Sequence, residues 1–153
     1  MSTREEAAAL PPVEKSIVVP VDVEGAFRRF TAEMGRWWPL AAHSVGGERA
    51  VAVVFEERAG GRIYEREADG TEHDWGRVVA WEPPRRFVMT WHPGRAPETA
   101  QELEVRFSAE QGGGTRVELA HRGWERLGER AEEARRQYLP GWDGVLERFV
   151  AGA

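Results

Sequence analysis

The chain has 153 residues, with 26 acidic side chains, 21 basic ones and no cysteine. That length buries a real core without staples, and the missing cysteines exclude disulfides, thiolate metal sites and cysteine nucleophiles. A formal net charge of −5, with Arg and Glu interspersed along most of the chain, argues against a nucleic-acid partner, which calls for a basic face.

Residues 1–12 read as a flexible or loosely docked lead closed by Pro11 and Pro12, ahead of one domain over residues 13–151. No apolar run reaches a membrane span and the start lacks a secretory pattern, so the expected location is the cytoplasm. Val13–Val21 reads as a strand. Asp22 is a good helix cap, and Val23–Phe30 can form a short helix with Ala26, Phe27 and Phe30 inward. Thr31 can cap a second short helix over Met34–Trp37, stopped by Pro39. After a loop with Gly46 and Gly47, strands are expected over Val51–Arg58, Arg62–Glu67, His73–Trp81, Arg86–Trp91, Glu102–Ala109 and Thr115–Arg122. The glycines and prolines between them mark hairpin turns and loops.

The tail changes period. Ala131, Ala134, Tyr138, Trp142, Val145, Leu146 and Phe149 recur at three- and four-residue spacing, one apolar stripe on a helix. Pro140-Gly141 predicts a kink or a restarted turn. A strand, two short helices, a run of hairpins and a long terminal helix make an α+β layout. About seven antiparallel strands would curve around the helix. Such a sheet leaves a gap beside the helix, where small-molecule pockets form.

Several phrases carry a family resemblance: WWPLAAHS at Trp37–Ser44, AGGRIYER at Ala59–Arg66, WGRVVAWEPPRRFVMTW at Trp75–Trp91, then GGTRVELAH and YLPGWDGVLERF. Over about residues 13–150 the chain resembles the START-like, birch-pollen-allergen-like superfamily. Within it, the chain resembles bacterial proteins similar to the C-terminal domain of the heat-shock protein 90 ATPase activator. The resemblance implies a helix-grip fold with a cavity between sheet and helix, and no catalytic set or cofactor. It raises a chaperone as a partner, beside a small apolar or aromatic molecule, for a monomer or homodimer.

Side chains alternate along strands. Phe87, Met89 and Trp91 share an inner face, and so do Val117, Leu119 and His121. Trp75, Arg77, Val79 and Trp81 share a face, as do Ile63, Glu65 and Glu67, and both sets are placed inward. Glu65 and Arg77 then meet across the turn at Ala68–Thr71, either as a charged end to an aromatic pocket or as a structural ion pair. His121 is a candidate base or ligand-bonding group, or a core histidine with its own partner. Of seven tryptophans, Trp75, Trp91 and Trp142 are expected to line a cavity. Trp37 and Trp38 form its lid, and His43 gates the mouth. With Met89 and Leu146 they complete the expected ligand-binding set. Glu65 with His121 is the acid–base pair an enzyme would use.

No two-histidine ligand spacing, serine elbow or phosphate loop is present. The composition and the pattern therefore point to binding of a small, largely apolar ligand in an internal cavity. An activator-like interaction protein and a cyclase-, dehydratase- or hydrolase-type enzyme are the alternatives.

Overall fold

The computed structural model of the chain describes residues 10–152; the first nine residues of the expected lead lie outside them. Seven strands form one antiparallel sheet: β1 (Val13–Val19), β2 (Ala50–Phe55), β3 (Arg62–Glu67), β4 (Glu72–Glu82), β5 (Arg86–Trp91), β6 (Gln101–Ala109) and β7 (Thr115–Arg122). Strands β2 to β7 pair in sequence order, and β1 closes the far edge against β7, in register from Val13 opposite His121 to Val19 opposite Thr115. The curved sheet holds the long helix α3 (Ala131–Ala151), the helix-grip arrangement.

Helix α1 (Val23–Phe30) starts where the Asp22 carboxylate accepts the Gly25 N–H at 2.8 Å. Helix α2 (Met34–Trp37) has no side-chain cap. Thr31, expected to cap it, instead ends α1, and its hydroxyl donates to the Phe27 carbonyl at 2.8 Å. Helix α3 runs through Pro140 as one element rather than restarting, although Pro140 has no N–H for the Arg136 carbonyl. Its buried stripe is Ala131, Ala134, Trp142, Val145, Leu146 and Phe149. Leu10 packs on the core, and Arg135 donates to the Pro11 carbonyl at 2.7 Å, which ties the start of the described chain to α3.

Strand β4 breaks simple alternation. Opposite β3 the register slips between Ile63 and Tyr64, which pair with Gly76 and Asp74 and leave Trp75 as the extra residue. The strand slips again opposite β5, between Val78 and Ala80. Trp75 and Val78 therefore both point into the core, while Arg77 between them is exposed. Gly76 is required by close approach: a Cβ there would stand 1.8 Å from the Thr90 carbonyl oxygen. The expected inward Arg77 is thus corrected. The strict period of two fails because one bulge residue resets which face follows.

Candidate functional site

The core divides by aromatic type. All six phenylalanines pack together with Trp37 and Trp81, at ring distances from 5.0 to 6.4 Å. At the other end Trp38, Trp75, Trp91 and Trp142 stand 5.0 to 6.0 Å apart and wall a cavity of about 410 Å³. That volume lies in the usual range for small-molecule sites.

Each cavity tryptophan spends its indole N–H on the protein. Trp38 donates to the His43 carbonyl at 2.7 Å and Trp75 to Glu65 Oε1 at 2.7 Å. Trp91 donates to the Tyr138 hydroxyl oxygen at 3.0 Å and Trp142 to His121 Nδ1 at 3.0 Å. The rings are therefore held by their polar edges, and they offer a ligand hydrocarbon and π surface with no donor left over.

Glu65 is fully buried, as expected, but its partner is not Arg77. Its Oε1 accepts the Val45 N–H at 2.7 Å as well as the Trp75 indole, and its Oε2 accepts the Gly46 N–H at 2.7 Å. Three donors meet the need of a buried carboxylate for partners. Gly46 fits here because it lacks a Cβ, which would lie 2.9 Å from Glu67 Oε2. Glu67 in turn is held by Arg49 at 3.3 Å and His73 at 2.7 Å. Arg77 instead reaches outward, with one guanidinium nitrogen 3.4 Å from the Gly60 carbonyl.

His121 is a core histidine. Because Trp142 can only donate, His121 Nδ1 is the acceptor and the proton sits on Nε2, 3.2 Å from Gln101 Oε1. Burial pulls its pKa down to about 3, so the ring is neutral in the fold. Trp124 stacks on it at 4.1 Å, and the Trp124 indole is the one buried side-chain donor without a partner among the described residues.

Neither Glu65 nor His121 lines the cavity, so the expected acid–base pair has no shared surface with a ligand. Three further expectations are corrected by placement. Met89 is buried in the core away from the cavity, and Leu146 faces a groove beside β1 with Lys15 and Ile17. Trp37 belongs to the phenylalanine end, its indole bonded to the Arg29 carbonyl at 2.6 Å. His43 does stand at the mouth, with its ring edge 4.0 Å from where a Gly141 Cβ would be.

Sequence reading missed Tyr138, Val45, Arg95 and Gln137 as cavity residues. Tyr138 had a signal, since it lies one turn before Trp142 on the stripe. Arg95 had none, because its loop between β5 and β6 carries no periodicity. That loop is nevertheless built: His92 is buried, and its Nδ1 donates to the Arg95 carbonyl at 3.1 Å.

Residues 21–151 match the family described as Activator of Hsp90 ATPase homolog 1-like protein. The chain belongs to this family. Among solved structures, the anthrahydroquino-γ-pyrone synthase Txn09 is 42% identical, over 82% of this chain and 85% of that one, with a TM-score of 0.59. The self-sacrificing resistance protein CalC from Micromonospora echinospora is 27% identical, over 93% of each chain, with a TM-score of 0.70. The Aha1 dimer from Colwellia psychrerythraea, 14% identical over 92% of this chain and 94% of that one, has a TM-score of 0.64 and shares the fold. No curated protein matches the chain. Among the described residues no helix is long and apolar enough to cross a membrane.

Proposed function

We propose that the protein binds a planar, largely apolar aromatic molecule in the cavity between sheet and helix α3. The observation that carries this is the wall of four tryptophans whose N–H groups are all engaged elsewhere. Such a wall rewards stacking and burial of flat hydrocarbon, at roughly 25 cal/mol per Å² of apolar surface removed from water. Trp38, Trp75, Trp91 and Trp142 supply the stacking faces, and His43 frames the entrance.

Tryptophan-fluorescence quenching and thermal shift with tricyclic aromatic probes, set against aliphatic probes of equal volume, test the reading. Tricyclic probes should quench saturably and raise Tm. Equal or better binding of the aliphatic set overturns it.

A second reading, ring-forming chemistry in the same cavity, is favoured by the 42% identity to a γ-pyrone synthase. Incubation with that synthase's substrate, followed by chromatography, tests it. Product formation no faster than in buffer rejects it.

A further inference from the structure

The chain carries more acid than base, yet no carboxylate lines the cavity. Arg95 is the one permanently charged side chain in the lining, and it makes no ion pair among the described residues. Its backbone is fixed on both sides by buried His92: the Arg95 N–H donates to the His92 carbonyl at 2.9 Å, and His92 Nδ1 donates to the Arg95 carbonyl. A guanidinium on a pinned backbone at the rim of an aromatic slot is a donor waiting for an acceptor.

Tyr138 is the second such group. Its oxygen already accepts the Trp91 N–H, and its own O–H has no acceptor among the described protein groups. Burial pushes the Tyr138 phenol up, against the opposing effects of the Trp91 bond and the Arg95 charge, so the hydroxyl keeps its proton at neutral pH. Arg95 and Tyr138 both line this one cavity, so both donors are open to the same ligand.

Resting on the aromatic-binding reading above, we propose that the cavity selects planar aromatic molecules bearing an acidic oxygen at one edge, a carboxylate, phenolate or enolate. Arg95 and the Tyr138 O–H hold that oxygen, while the tryptophans stack on the rings. A neutral molecule of the same shape gains the stacking and forgoes the charge-assisted bond. A cation meets Arg95 and no compensating carboxylate.

The test compares anthraquinone-2-carboxylate with anthraquinone-2-carboxamide by fluorescence titration of the full chain. The carboxylate should bind at least about tenfold more tightly, the scale of one hydrogen bond to a charged group. Arg95→Gln should bring that ratio close to one, because the carboxylate loses a charge-assisted bond and the carboxamide at most a neutral one, and Arg95→Lys should restore part of it. Arg95 is exposed, and a thermal melt of each variant shows whether it folds. Equal binding of both probes by the wild type overturns the acidic-oxygen proposal and leaves aromatic binding standing. A preference that survives Arg95→Gln overturns the role of Arg95. If neither probe binds, the aromatic reading fails and this proposal falls with it.

Discussion

At one end of the space between sheet and helix α3, phenylalanine rings meet edge to face and fill it. At the other, tryptophan rings stand at similar separations, yet the space between them stays open. The difference lies in one atom. A phenylalanine ring has no polar edge, so nothing stops it from sliding until contacts are complete. Each cavity tryptophan is tethered by its N–H to a fixed acceptor: the His43 carbonyl, the Glu65 carboxylate, the Tyr138 hydroxyl or the His121 ring. Collapse into the cavity would break those bonds and leave buried donors unpaired, which costs about 1–3 kcal/mol each. The four bonds thus fix where each ring of the cavity wall stands.

The comparison is tested most strongly at the solid end. Phe87 is fully buried and touches Phe27, Phe30, Phe55 and Phe107. Phe87→Ala should cost about 3–5 kcal/mol in urea melts, with the tricyclic-probe affinity of the folded fraction unchanged. A loss under about 1 kcal/mol would mean that this end is loosely packed and the contrast is false.

At the open end the next effect is a pH dependence. His121 titrates near 6.5 when unfolded and near 3 in the fold. Below pH 6.5 the unfolded chain takes up a proton that the folded chain refuses, so stability is full above pH 6.5 and falls as pH falls toward 3. Between pH 6.5 and 4.5 the loss should be about 3 kcal/mol at most. Glu104, held at about 2 with Arg86 and Arg122 bonded to it, adds its own loss only below about 4.5. His121→Gln keeps an acceptor for Trp142 and should flatten the slope between pH 6.5 and 4.5. An unchanged slope in that variant would assign the effect to other groups.

The same tethers explain what could be read from the chain. Three of the seven strands match their expected bounds and the rest differ by no more than three residues at either end, because glycine turns and alternating apolar residues are local signals. The inward placement of Glu65 and His121 was legible from alternation in the short, regular strands β3 and β7. Arg77 was not, because the bulge at Trp75 depends on how Gly76 meets Thr90 on the next strand, a contact no period encodes. The partner of Glu65 was equally hidden. Val45 and Gly46 donate through backbone N–H groups, which almost every residue carries, so nothing in the sequence singles them out as the donors.

Glu65→Gln sharpens that point. Gln keeps one oxygen for Val45 and Trp75, but turns an amide N–H₂ toward the Gly46 N–H, donor against donor. The expected cost is about 2 kcal/mol. Amide exchange at Val45 and Gly46 should quicken more than at Phe87, since the change frees the loop beside the mouth before it touches the solid end. Uniform acceleration across both regions would show that Glu65 supports the whole core rather than one wall.

The smallest expected effect isolates a single tether. Tyr138→Phe removes the acceptor of the Trp91 N–H and one of the two donors proposed to hold the ligand's acidic oxygen. The site borders the cavity, so water can take up the indole N–H, and the stability loss should be only about 1 kcal/mol. Trp91→Phe alone deletes the same bond from the other side. If the tether is what holds the ring, the double variant should cost less than the sum of the two by about 1 kcal/mol, because the second change removes a bond already lost. The double variant also converts this part of the wall to the phenylalanine type. Its rings are free to close inward, so affinity for the neutral anthraquinone-2-carboxamide should fall even though that probe needs no donor. Retained carboxamide affinity in the double variant, together with zero coupling, would show that the cavity stays open for reasons other than the tethers.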